Sequence, residues 1–355
     1  MWDETEDTVG AGIRFNGDDD NSNGVGHPRG NGVPDYQEDI VPGDDDLIEL
    51  TFEFGATSAP AGVEYVIERS NASVKIWDST KSGAVLTGTS NQAVIPFAPT
   101  ASLWVEWVNP ILGQADAILT FKARDAVTKA PLGTPDSVRV FRFTSEVIVI
   151  GGNGQVPRDP APEGAGLFTL ARWLYLDGYD VHMFAHDAVM WENRPNSGAG
   201  AAYNEVVSAV NERNVTNVSV IGFSWGGGAT YDLLARLEWA ALPANRVITK
   251  AFSIAFTATI DAIRHIDFMD PDFYTPDNRD PMPLTNYDIN YFQRNTNSFI
   301  RGAARLRPGG LPSLVTQNVE VTTRPWGGNL THTTIDDSFD VLIGIQDRLT
   351  KRLNR

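Results

Sequence analysis

The sequence predicts a mostly parallel α/β sheet with helices on both faces, preceded by an all-β sandwich. Three observations carry this. From about residue 145 onward, short apolar β-branched runs alternate with stretches of helical periodicity, the pattern of a parallel sheet with crossover helices. Residues 47–144 instead carry period-two alternation broken by turn signals. Between one strand-like run and one helix-like run stands Gly222-Phe-Ser-Trp-Gly-Gly-Gly228, whose glycines suit a sharp strand-to-helix turn.

Residues 1–46 are a segment of their own, dominated by Asp, Asn and Gly. With Val25 to Gly32 set aside as an insertion, the remainder follows the order of a twelve-residue calcium loop. Asp19, Asn21, Asn23, Asp35 and Glu38 fall at its side-chain oxygen positions, Gly24 at its tight turn and the Val33 carbonyl at its backbone-ligand position. Calcium takes several hard oxygens, and this order supplies them. The stretch resembles the calcium-binding Asp/Asn-rich segments of large exported bacterial proteins. A solvated acidic linker has the same composition.

In residues 47–144, strand-like runs cover Leu47–Phe54, Val63–Ile67, Val74–Trp77, Ala93–Pro96, Leu103–Val108, Ala117–Phe121 and Val138–Phe143. Ser-Asn, Ser-Gly, Pro-Thr and Leu-Gly pairs mark the turns, at spacings that suit an immunoglobulin-like sandwich. No histidine or nucleophile motif occurs there, so the module is expected to brace or present its neighbour.

In residues 145–355, strands are expected at Glu146–Ile150, Asp180–Phe184, Val218–Ile221, Ile248–Thr259, Tyr287–Phe292 and Val319–Thr323. Helices are expected at Leu167–Leu176, at Ala201–Val210 and after Ser224. A last amphipathic helix is read through Ile335, Phe339, Leu342, Ile345, Leu349 and Leu353. In the Gly-x-Ser-x-Gly turn a Cβ at Gly222 or Gly226 would meet neighbouring backbone, and the helix N-terminus turns its amides toward Ser224. Such a serine is a nucleophile for acyl transfer.

The elbow, Gly151-Gly-Asn-Gly154 after the first strand, and Asn329-Leu-Thr-His-Thr-Thr-Ile-Asp-Asp337 before the last helix together resemble the α/β-hydrolase superfamily. Within it they are most similar to the serine lipases and carboxylesterases. The resemblance covers roughly residues 145–355 and lacks the family's two leading strands. It implies a triad in the order serine, acid, histidine. Of five histidines, His332 lies where the family's histidine loop belongs; His27, His182, His186 and His265 do not, although His186 stands at the active edge. Many members carry the acid after the strand preceding the last, yet no Asp or Glu occurs between Ile289 and Val319. The end of the preceding strand offers Asp261, with Asp267, Asp270 and Asp272 as competitors. The resemblance also implies an oxyanion hole from the amides of Trp225 and Asn153, with Gly152 as the alternative to Asn153.

Phe223, Trp191, Tyr291 and Trp326 are candidates for an apolar acyl pocket. Residues 262–317 form a long insertion carrying Arg294, Arg301, Arg305 and Arg307, read as a lid or as an ordered excursion. A net charge of −17 argues against nucleic acid and anionic membrane partners, and no apolar run suits a membrane span. The absence of cysteine excludes a thiol nucleophile and disulfides. The expectation is a serine hydrolase of small or polymeric carboxylic esters that needs no catalytic cofactor. It is expected to be secreted or at a bacterial cell surface, within a larger exported protein. An amidase or peptidase would use the same triad, and a non-catalytic surface module would leave it a relic.

Overall fold

The computed structural model describes residues 13–18, 35–36, 48–54, 58–78, 83–97, 100–107, 117–140, 143–155, 166–177, 179–186, 200–263, 282–302 and 315–353. The chain divides into two compact units, residues 1–32 with 43–142, and residues 33–42 with 143–355.

The first unit is built of antiparallel strands. One sheet holds β1 (Ile13–Asp18), β3 (Ile48–Phe54), β5 (Val74–Trp77), β6 (Ala84–Leu86) and β8 (Thr100–Trp107), in the order β1-β3-β8-β5-β6. The other holds β4 (Val63–Arg69), β7 (Gln92–Ile95), β9 (Ala117–Asp125) and β10 (Pro131–Val140), in the order β10-β9-β4-β7. Alternate residues of both sheets meet in one core: Tyr65 and Ile67 with Val74 and Ile76, Leu103 and Val105, Leu119 and Phe121. The period-two pattern is the direct signature of that shared core. Strand β1 arises from the acidic opening, where no strand is expected from sequence, and pairs with β3 from Ile13↔Phe54 to Asp18↔Glu49.

Buried Arg69, at the end of β4, donates to the carbonyls of Val74, Leu86, Gly88 and Ser90 at 2.5 to 2.7 Å. One guanidinium thus ties β4 to the first residue of β5, the last of β6 and the turn that follows β6.

The second unit is a seven-stranded sheet in which every pairing is parallel. Its strands are β2 (Asp35–Tyr36), β11 (Ser145–Ile150), β12 (Asp180–Phe184), β13 (Asn217–Phe223), β14 (Ser253–Ile260), β15 (Tyr287–Phe292) and β16 (Val315–Glu320). Their order is β16-β15-β14-β13-β11-β12-β2. Its helices are α1 (Leu167–Leu176), α2 (Ala201–Asn211), α3 (Trp225–Ala241) and α4 (Phe339–Leu349). Val147 and Val149 of β11 pack with Leu170 and Leu174 of α1 and Leu342 and Ile345 of α4. Ile148 and Ile150 pack with Val206 and Val210 of α2 and Leu233 and Leu237 of α3. Among the described residues each face of the sheet therefore carries two helices, and β11 is buried along its whole length.

The structure corrects several boundaries. The expected strand Val319–Thr323 is β16 ending at Glu320 and then a 3-10 turn, Val321–Thr323, where the Thr323 hydroxyl donates to the Glu320 carbonyl. The strand expected from Ile248 starts at Ser253. The last helix spans only Phe339–Leu349, because apolar Ile335 and Leu353 are buried from the turns that flank it.

Candidate active site

Strand β13 turns into α3 through Ser224, whose backbone is left-handed at φ 53° and ψ −120°. Two glycines make room for the turn. A Cβ on Gly222 would collide with the Gly226 carbonyl and the Thr230 hydroxyl, and one on Gly226 with the carbonyls of Ile150 and Gly151. Hydrogen bonds hold the strained residue at both ends: Ser224 N–H donates to the Ile260 carbonyl at 3.0 Å, and Ile263 N–H to the Ser224 carbonyl at 2.8 Å.

Three residues distant in sequence meet here. Ser224 Oγ lies 2.8 Å from His332 Nε2, and His332 Nδ1 lies 2.7 Å from Asp261 Oδ2. All three are buried, Asp261 completely. Asp261 is the first residue after β14, with φ 44°, and its N–H donates to the Tyr291 carbonyl at 2.7 Å. His332 lies in the turns between the 3-10 turn and α4, and its N–H donates to Ser298 Oγ at 3.1 Å. The Phe223 ring packs on the imidazole, centroids 5.2 Å apart.

Gln293 was not anticipated from sequence. Its backbone N–H donates to Asp261 Oδ1 at 3.2 Å and its side-chain amide to Asp261 Oδ2 at 3.1 Å. The same amide reaches Ser298 Oγ at 3.3 Å and the Ile300 carbonyl at 2.9 Å. Gln293 follows β15 directly, in a stretch without Asp or Glu, and there it holds the acid that follows the preceding strand. Its one sequence signal was that vacancy of Asp and Glu.

Gly151–Gly154 follows β11 and lies against the serine. A Cβ on Gly152 would come within 2.8 Å of the Phe223 ring and 3.0 Å of Ser224 Cβ. Gly152 N–H donates to Gln155 Oε1 at 2.8 Å, so its donor is already engaged. Asn153 is exposed on the same turn. Trp225 is the first residue of α3, which puts its amide at the positive end of that helix. Gln155 in turn donates to Asp336 Oδ2 at 2.6 Å, tying this loop to the turn that carries His332. Burial raises the Asp336 carboxyl to about 6, against the pull of the Gln155 hydrogen bond.

The other expected site residues are scattered. Tyr291 corrects the pocket reading: its side chain is buried in the core beneath α4, with its hydroxyl against Gly344, and only its carbonyl serves Asp261. Burial pushes the Tyr291 hydroxyl up to about 12. Trp326 is exposed on the turn after the 3-10 turn. His186 is buried with its ring 5.0 Å from that of Trp225. Arg294 donates to the carbonyls of Gln293 and Gly302, strapping the loop that follows β15. Trp191, the competing acids Asp267, Asp270 and Asp272, and Arg305 and Arg307 lie outside the described residues. So do Asp19, Asn21, Asn23, Val33 and Glu38; Asp35 is described only as a backbone position of β2, paired with His182.

Chemically, an imidazole between a serine hydroxyl and a buried carboxylate can take the serine proton while the carboxylate holds the ring and offsets its charge. No protein-family model matches the chain, and no curated protein matches it. Among solved structures it is similar to a lipoprotein from Bacteroides thetaiotaomicron at 13% identity, over 26% of this chain and 63% of that one, with a TM-score of 0.19. A conjugative transposon lipoprotein from Bacteroides eggerthii matches at 7% identity over 36% of this chain and 93% of that one, TM-score 0.20. A multi-modular, cell-surface-expressed chitinase from Paenibacillus matches at 10% identity over 73% of this chain and 32% of that one, TM-score 0.18. Likenesses of this size carry no argument about fold or activity.

Proposed function

We propose that this protein is a serine hydrolase that cleaves carboxylic esters through an acyl-enzyme. The observation that carries the reading is the continuous relay from Ser224 Oγ through His332 to Asp261, at 2.8 and 2.7 Å, starting from a strained turn at a helix N-terminus. Ser224 Oγ attacks the ester carbonyl as His332 Nε2 takes its proton. The new oxyanion is met by the amides of Trp225 and Asn153. Collapse of the tetrahedral adduct breaks the C–O bond, and the imidazolium returns the proton to the departing alkoxide. Water then repeats the sequence on the acyl-serine, giving up its proton to His332 and releasing the acid and free Ser224.

An α/β-hydrolase domain after an immunoglobulin-like module belongs to the same proposal. So does a secreted or bacterial cell-surface location, supported by the resemblance of the acidic opening to Asp/Asn-rich segments of exported bacterial proteins. One structural calcium ion, held by Asp19, Asn21, Asn23, the Val33 carbonyl, Asp35 and Glu38, completes it.

A fluorophosphonate probe tests the reading. Labelling of the folded chain, lost in Ser224→Ala, together with turnover of short-chain esters above the matched amides, is the expected result. Absence of both labelling and ester turnover in the folded chain would overturn it. Faster turnover of the amides would replace esterase by amidase.

A further inference from the structure

At the starts of the parallel strands, the end opposite Ser224, a group of charged side chains is enclosed in the core. Glu146 is the second residue of β11, and Asp180 and His182 are the first and third of β12. They share the face on which Ile148, Ile150 and Phe184 pack beneath α2 and α3. Glu205 comes down from α2, and Arg213 follows that helix. Glu146 and Glu205 are wholly buried, His182 is 2% exposed and Asp180 8%.

Arg213 pairs with Glu205 and stands 4.0 Å from both Glu146 and Asp180, so one guanidinium faces three carboxylates. Among the described residues, both oxygens of Glu146 and one of Glu205 are buried and have no hydrogen-bond partner. An unpaired buried carboxylate costs several kcal/mol, which is roughly the net stability of many domains. His182 Nε2 faces Asp180 Oδ1 at 3.2 Å and Glu205 Oε1 at 3.4 Å. A ring-nitrogen lone pair turned toward carboxylate oxygens needs a proton or a cation between them.

We propose that Glu146, His182 and Glu205 hold a divalent transition-metal ion of the zinc class. Their ligand atoms lie within 4.8 Å of one another. With metal–ligand bonds of about 2.0 to 2.2 Å, the edge of a tetrahedral site is about 3.3 to 3.6 Å, the span already present between His182 and Glu205. One imidazole with carboxylates suits zinc, whereas calcium and magnesium prefer oxygen alone. A divalent ion at this point would meet the Glu146 and Glu205 oxygens that make no hydrogen bond, and Asp180 lies beside the ring, 3.2 Å from His182 Nε2. Enclosed and remote from Ser224, the ion is structural, joining β11, β12 and α2.

The competing state has a proton in place of the metal, because burial and the neighbouring Glu205 charge push the Glu146 carboxyl well above its ordinary range. The two are separated by loading the full chain with zinc, passing it through gel filtration and measuring retained metal. About one zinc per chain is expected in the parent and less than about a tenth of that in His182→Ala and in Glu146→Gln. Cobalt in its place should give the visible absorption of a nitrogen- and oxygen-ligated tetrahedral ion. Zinc, but not calcium, should raise the thermal midpoint. Folded parent protein that retains no zinc, or retention unchanged in both variants, overturns the proposal. The parent measurement decides even where a variant fails to fold.

Discussion

Gln293 grips the Asp261 carboxylate from two directions, with its backbone N–H at 3.2 Å and its side-chain amide at 3.1 Å. The remaining strong contact of that carboxylate is His332 Nδ1, at 2.7 Å. A fully buried carboxylate is therefore left with one orientation, the one that holds the imidazole toward Ser224.

Removing the side-chain grip should act on turnover rather than on substrate binding. Gln293→Ala is expected to lower kcat about 10- to 100-fold with little change in KM, since a misaligned base costs the transition state alone. For comparison, Ser224→Ala or His332→Ala should cost about 10⁴- to 10⁶-fold and Asp261→Asn about 10³- to 10⁴-fold. Steady-state ester hydrolysis measures all four. Wild-type kcat in Gln293→Ala would show that His332 and the backbone N–H at position 293 suffice to orient Asp261.

Gly152 offers a test of close packing at the nucleophile. The Cβ of Gly152→Ala would come within 3.0 Å of Ser224 Cβ and 2.8 Å of the Phe223 ring, so the loop must shift. If this loop supplies an oxyanion donor as proposed, its displacement should reduce kcat about 10²- to 10³-fold, the scale of one lost donor. Far-UV circular dichroism and the thermal midpoint should stay close to those of the parent.

Asp336 sets a pH dependence of stability. Burial lifts its folded carboxyl to about 6 from an ordinary value of 3.8. Between those values the folded chain keeps a proton that the unfolded chain has released. Stability therefore falls as pH rises through that window, and the penalty is complete above about 6, on the order of 1 to 3 kcal/mol. Asp336→Asn should remove this slope, so that its melting midpoint gains on the parent as pH rises from about 4 to about 6. Parallel midpoints across that range would mean that Gln155 keeps the carboxylate charged.

The calcium reading predicts a thermal response separate from catalysis. A calcium-selective chelator should lower the unfolding midpoint, by about 2.7 kcal/mol of stability relative to a hundredfold excess of calcium over its dissociation constant. Glu38→Gln should imitate the chelator, and ester turnover at moderate temperature should hold. Calorimetric traces that ignore both calcium and Glu38→Gln would leave the segment an acidic linker.

The sequence by itself determined what depends on neighbours along the chain. Short apolar runs marked β11, β12 and β13, the 3.6 period marked α1 and α2, and the glycines around Ser224 marked a turn that only glycine geometry permits. These signals are local because period and backbone sterics act over a few residues. Only the tertiary structure decided which distant groups meet. Gln293 against Asp261, Gln155 against Asp336, and Glu146 beside His182 and Glu205 depend on strand order and on the face each side chain takes. Tyr291 shows the same limit from the other side: it lies at the right strand end, and the pleat turns its ring into the core. The edge strand β1 was hidden for a related reason: its polar sequence pairs through backbone hydrogen bonds, which leave little trace in side-chain pattern.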